Sequence, residues 1–264
     1  MKYVYIILLS VSLLSCKSSF EQIRQSNDPA QYLSGANKYF EAEEYVKAQS
    51  LYELAIEFYR GKKEAEDIAY NYAYTYYHLG QYSLSAFYFN NFTKTFYNSL
   101  KKEEVAYMSA YSNYRLSPNH RLDQGPTTEA IQQLQTFINT YPSSPRVAES
   151  NNLIDEMRQK LELKAFEQGN LYKKIGNFQS AMAAYENVLK DFPETERHEE
   201  IRYLIIQSNF ELAKKSVYEK MEKRLKDTVE KCDKFVNKFS RSEYLGDVRQ
   251  HRIYCKNELK RFVQ

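Results

Sequence analysis

The chain has 264 residues, with 37 Lys and Arg against 34 Asp and Glu, a formal charge of +3 at neutral pH. A balance this close to zero, with the signs mixed, gives no reason to expect nucleic acid as a partner. Only 7 Gly and 6 Pro, with 27% charged residues, describe one or two mostly helical domains with a buried core, not a sheet or a disordered chain.

The first residues follow a different rule from the rest. Lys2 supplies a positive start, and Tyr3 to Leu14 form a mostly apolar run. At 1.5 Å per residue that run reaches about 18 Å, short of the roughly 30 Å hydrocarbon core of a bilayer. It reads as a signal peptide over residues 1–15. Its end, Leu13-Leu14-Ser15-Cys16, resembles a bacterial lipobox, in which the cut precedes a cysteine that becomes lipid-modified. The alternative is an ordinary signal peptide with a chance cysteine. With diacylglycerol and a fatty acyl chain on Cys16 as its only covalent additions, the protein would be held at a membrane face without spanning it, and no other cofactor is expected. Removing Lys2 leaves 36 basic against 34 acidic residues, a formal +2. Residue 17 is Lys, not Asp, and KSSFEQ lacks an acidic run. By resemblance to bacterial sorting rules, this favours the outer membrane, with the body facing the periplasm. Residues 16–28 then form the tether.

From residue 29 onward the dominant signal is repetition. A tetratricopeptide repeat is a pair of antiparallel helices over 34 residues, with small residues at the helix crossing and large ones between. The fullest copy is KAFEQGNLYKKIGNFQSAMAAYENVLKDFP, Lys164 to Pro193. Here Gly169 and Ala181 take the crossing positions, Gly176 the turn, and Tyr185 and Val188 the core. The same frame fits Ala36, Ala48, Ala55 and Tyr52 in a first unit. It fits Ala73, Gly80, Ser85, Phe89 and Phe92 in a second, and Ala110, Ala130, Leu134 and Phe137 in a third. A weaker fifth unit runs from about Glu199 to Ser240, and a last helix, about Tyr244 to Phe262, caps the stack. The expected fold is an all-α, tetratricopeptide-like α-solenoid of about five helix pairs plus a C-terminal capping helix. Repeats 1–3 occupy 29–145, and repeats 4–5 with the cap occupy 146–264.

Spacing exposes two insertions. Crossing residues are 12 apart from Ala36 to Ala48, Ala73 to Ser85 and Gly169 to Ala181, but 20 apart from Ala110 to Ala130 and from Ser208 to Thr228. In the fifth unit the extra KKSVYEKMEKRLK reads as helix and should lengthen both helices. In the third, Pro118 and Pro126 forbid that, because neither can donate a helical hydrogen bond. That insert, within LSPNHRLDQGPTTEA, should stand out as a structured loop.

Nucleotide loops, nucleophile elbows and zinc motifs are absent from the sequence, so a non-enzymatic role is expected. His78, His120, His198 and His251 have no ligand spacing, and no metal is expected. Glu43-Glu44, Glu103-Glu104 and Glu199-Glu200 read as solvated helix residues, because neighbours on a helix point about 100° apart. Cys232 and Cys255 are either separate packed thiols or a bridge between adjacent helices.

A lipobox, five such units and SPNHRLDQ after the third unit's first helix together resemble the BamD family. That family is the lipoprotein subunit of the machine that assembles β-barrels in the bacterial outer membrane. The matching positions are Ser117-Pro118, Leu122-Asp123-Gln124, Thr128 and Ala130-Ile131, with TFINTYPSSP (Thr136 to Pro145) closing the unit. The chain departs at Asn119-His120-Arg121, where the family has Arg-Tyr-Glu. The resemblance implies docking on the periplasmic domains of the barrel-forming subunit BamA, alongside other subunits. It also implies recognition of unfolded outer-membrane barrel proteins by the N-terminal repeats.

Three surfaces follow as candidates. Tyr72, Tyr74, Tyr77 and Tyr88, within the aromatic stretch Tyr70 to Tyr97, are possible lining for a peptide groove, although most of that stretch is expected in the core. Ser117, Pro118, Arg121, Leu122, Asp123 and Gln124 are candidate partner contacts, unless Asp123 merely caps a helix. Lys220, Lys223 and Arg224 lie in a basic run that is either a docking face or a solvated one. The rival functional reading is a periplasmic repeat adaptor for cell-wall synthesis or division. A glycan-capturing lipoprotein is disfavoured because the chain has no Trp for sugar platforms.

Overall fold

The structure is a computed structural model and describes residues 18–262. The expected signal peptide and lipidated Cys16 lie outside the described residues. These residues fold as helices and connecting turns, divided into two compact units. The first holds residues up to Pro118 together with Asp123–Ile154, and the second holds Asn119–Leu122 with the chain from Asp155 onward. The division therefore falls after Ile154, inside a helix.

In the first unit a short α1 (Ser19–Arg24) precedes three helix pairs: α2 (Pro29–Glu41) with α3 (Tyr45–Tyr59), α4 (Ala65–His78) with α5 (Tyr82–Thr95), and α6 (Lys102–Leu116) with α7 (Gly125–Thr140). Each helix packs on the next in sequence, and α2 also touches α4. This is the contact pattern of stacked pairs. The start of α2 is specified locally, since Asp28 accepts the Ala30 amide at 2.9 Å and Pro29 takes the first turn. Ala36, Ala48, Ala55, Ala73, Ser85, Ala110 and Ala130 are all buried, as the repeat frame requires.

A helix α8 (Val147–Lys174) runs from the first unit into the second. The fullest repeat copy, from Lys164, begins inside this helix, which extends back to Val147 because neither Gly nor Pro interrupts 147–168. In the second unit α8 is followed by α9 (Phe178–Asp191), α10 (His198–Lys214), α11 (Tyr218–Lys238), α12 (Leu245–Leu259) and a 3-10 turn, Lys260–Phe262. The insertion in the fifth repeat lengthens α10 and α11, leaving only Lys215, Ser216 and Val217 between them. At the fourth crossing a Cβ on Gly169 would sit 2.5 Å from Cε1 of Tyr185, so only glycine permits this approach. Tyr185 then donates to Asn170 Oδ1 at 2.6 Å, as Tyr52 donates to Asn37 Oδ1 at 2.8 Å in the first repeat. Cys232 and Cys255 are free, buried thiols.

The turns within repeats one, two and four share one backbone solution. Glu43, Gly80 and Gly176 take φ of 58°, 72° and 79°. The following residues, Glu44, Gln81 and Asn177, donate back to Tyr39, Tyr76 and Tyr172 carbonyls at 2.8–2.9 Å. This left-handed cap satisfies helix-end carbonyls that would otherwise lack donors.

Candidate functional site

The third repeat replaces that cap with eight residues, Ser117–Gln124. Its two ends are tied inward. Ser117 Oγ lies 2.7 Å from Thr127 Oγ1, which donates to Gln124 Oε1 at 2.7 Å, and both Gln124 and Thr127 are buried. Gln124 thus belongs to the fold's interior and is not a surface contact, a correction to its candidacy that follows from the need of its buried amide for a partner. Ser117 and Pro118 are half-buried.

The middle is shaped by two short turns. Asn119 Oδ1 accepts the Arg121 amide at 3.1 Å, and Asp123 Oδ2 accepts the Gly125 amide at 3.0 Å, the start of α7. In the second unit, Lys164 on α8 donates its ammonium to two loop carbonyls, His120 at 3.1 Å and Leu122 at 2.8 Å. One turn along α8, Glu167 Oε2 lies 2.9 Å from His120 Nε2. With the backbone held from beneath, Arg121 and Leu122 point outward, and Leu122 is 60% exposed. Sequence reading missed Lys164 and Glu167. Their i,i+3 spacing places them on one helix face, but nothing local says that the face meets a loop more than 40 residues earlier.

The basic run on α11 divides. Arg224 is half-buried, and its Nη1 donates to Ser216 Oγ at 2.6 Å, fastening the α10–α11 turn. Lys226 pairs with Glu222 at 2.6 Å and Lys214 with Glu211 at 3.4 Å. Lys220 and Lys223 remain exposed.

The four tyrosines of the first unit divide as well. Tyr72 is a core residue, 4% exposed, its hydroxyl 2.8 Å from that of Tyr76 and its ring 4.8 Å from Tyr88. With Ile56, Tyr59, Ile68 and Phe96, Tyr72 and Tyr88 line a cavity of about 500 Å³ whose rim carries Arg60 and Lys62. Tyr74 instead donates to Glu104 at 2.7 Å, and Tyr77 packs on Tyr82 and Tyr111. Burial raises the Tyr72 and Tyr74 hydroxyls well above the ordinary range, so both are neutral phenols. The four therefore do not line one groove, because Tyr72 and Tyr74, two residues apart, project about 200° apart around α4.

A second cavity, about 960 Å³, lies in the second unit and is lined chiefly by carboxylates, including Glu162, Glu194 and Glu243, beside Arg158 and Arg197. Arg158 holds the Glu194 carboxyl below its ordinary value through a hydrogen bond of 2.5 Å. Among the described residues no group of three or more His, Cys, Asp and Glu is placed to hold a metal, and no helix is long and apolar enough to cross a membrane.

This geometry defines a scaffold of helix-pair repeats with an exposed, braced loop. Comparison places it further. The family model YfiO, described as an outer membrane lipoprotein, matches residues 25–224, and the chain belongs to that family. Among solved structures, it is similar to a TPR repeats protein from Bacteroides fragilis NCTC 9343, at 16% identity over 88% of this chain and 99% of that chain, with a TM-score of 0.38. It is also similar to the TPR2AB domain of yeast Sti1 in its pHSP90 complex, at 14% identity over 86% and 98%, with a TM-score of 0.40. No curated protein sequence matches the chain.

Proposed function

We propose that this outer-membrane lipoprotein is the lipid-anchored periplasmic scaffold of the β-barrel assembly complex, docking on BamA and helping to recognise unfolded barrel proteins. The observation that carries the reading is the loop braced by Lys164. Its backbone conformation is set before any partner arrives, so Arg121 and Leu122 are presented at little ordering cost. Leu122 is one of the positions through which the sequence resembles the BamD family, whereas Arg121 lies in the tripeptide where the chain departs from it. The cavity around Tyr72 and Tyr88, apolar within and basic at the rim, suits an aromatic side chain next to a carboxylate, as at the end of an unfolded barrel strand. Exposed Lys220 and Lys223 are left as a second, electrostatic contact.

The test is affinity purification of the tagged protein from gently solubilised membranes, with partners identified by mass spectrometry. BamA recovered in near-equal amount supports the reading, and Arg121→Glu with Leu122→Asp should remove it while the helical circular dichroism is unchanged. Enrichment of cell-wall synthesis proteins without BamA would refute it.

A further inference from the structure

One edge of the first unit has a distinctive surface. Ser19 Oγ lies 3.2 Å from the Tyr39 hydroxyl, and Phe20 meets the Tyr39 ring edge-on at 5.7 Å. Lys47 Nζ sits 5.1 Å from the centre of that same ring. Tyr39 is near the end of α2 and Lys47 near the start of α3, so the described chain begins beside the α2–α3 turn. The same edge continues through the next repeat. Tyr45 stacks on His78 at 4.3 Å, Tyr77 packs on Tyr82 at 5.6 Å, and Arg115 from the end of α6 covers Tyr82 at 4.5 Å.

Beyond this band of tyrosines stand bare aliphatic side chains. Val46 is 67% exposed and Leu84 45%, with Phe87 one turn further along the Leu84 face of α5. Half-buried Tyr45 and Tyr82, basic Lys47 and Arg115, and projecting Val and Leu together make a surface suited to the boundary between headgroups and acyl chains.

We propose that this edge rests on a lipid surface, with Val46 and Leu84 entering the headgroup–acyl boundary of the leaflet that holds the anchor. The inference rests on reading Cys16 as the lipidated residue. Cys16 precedes Ser18 by two residues, a contour of at most about 7 Å, so an anchored chain keeps this edge against the membrane. Glu41, Glu43 and Glu44 share the edge, and among the described residues Lys47 pairs with Glu44, leaving Arg115 against two carboxylates. The surface therefore favours zwitterionic lipid over anionic lipid.

The test uses the full lipidated chain in phosphatidylethanolamine–phosphatidylcholine vesicles. Val46→Cys and Leu84→Cys carry an environment-sensitive fluorophore, with Phe58→Cys and Leu100→Cys as controls away from the turn edge. All four positions are exposed, and the native Cys232 and Cys255 are buried, so labelling is selective. The expected result is a blue shift at 46 and 84 and loss of their emission on adding doxyl lipid, with neither change at 58 and 100. Four water-like spectra on protein that floats with the vesicles would overturn the proposal and leave the anchor standing. Protein that neither floats nor carries an acyl mass increment would overturn both. Shielding at 46 and 84 that requires a protein partner and shows no doxyl quenching would assign the edge to that partner and overturn the lipid proposal.

Discussion

The Lys164 ammonium lies 2.8 Å from the Leu122 carbonyl oxygen and makes the exposed loop a braced structure. With the part-buried bond to the His120 carbonyl, this charged donor contributes about 1–2 kcal/mol. Lys164→Met should raise the rate of tryptic cleavage after Arg121 by about 5- to 30-fold, the factor those energies represent. Because the helices remain packed, the thermal midpoint should hardly move. Unchanged cleavage would show that the loop is held without Lys164.

Glu43 occupies the backbone position that Gly80 and Gly176 fill in other repeats, at φ 58°. A side chain in this region costs about 1–2 kcal/mol, partly offset by the entropy that glycine loses on folding. Glu43→Gly should stabilise the fold by about 0.5–1 kcal/mol, and Gly176→Ala should destabilise it. Denaturant midpoints at constant m-value would measure both.

His251 stacks on Phe210 at 4.0 Å, and burial lowers its pKa below the ordinary 6.5, against the opposing pull of Asp247 and Glu211. His198 and His78 are lowered by burial as well. Between the folded and ordinary values the unfolded chain binds more protons, so stability rises with pH there. It is fully present above 6.5 and is lost as pH falls through the depressed folded values. Melting temperature should therefore drop between pH 7.5 and pH 5, and His251→Phe should flatten that slope.

The thiols of Cys232 and Cys255 are pushed up by burial to about 12 and about 11, against an ordinary 9.0. At pH 8 Cys255 carries about a hundredfold less thiolate than a free cysteine, and Cys232 less still. Ellman's reagent should leave the native body nearly untouched and report both thiols in guanidinium. Fast reaction of either in the native state would contradict their burial.

The repeat frame was legible because it is written locally. Ala36, Ala48, Gly169 and Ala181 mark crossings at a fixed spacing, and backbones can approach only where side chains are small. The insert at Ser117–Gln124 was legible for a similar reason, since Pro118 and Pro126 veto a helix whatever surrounds them. The aromatic stretch was not. Tyr70, Tyr74 and Tyr77 put aromatic residues on one face of α4 and Tyr72 and Tyr76 on the opposite one, which blurs the 3.6-residue signal that would separate inside from outside.

Sequence alone determined that this protein is a row of helix pairs, where its crossings lie and which repeat cannot close with a short turn. Each follows from backbone sterics and side-chain size, which act over a few residues. Only the tertiary structure decided that Lys164 holds the loop, that Gln124 and Arg224 serve the fold, and that Tyr72 and Tyr74 face different neighbours. Lys164 meets Leu122, and Tyr74 meets Glu104, within 3 Å across 30 or more residues; the other outcomes turn on burial and side-chain placement, and a one-dimensional spacing carries no record of either.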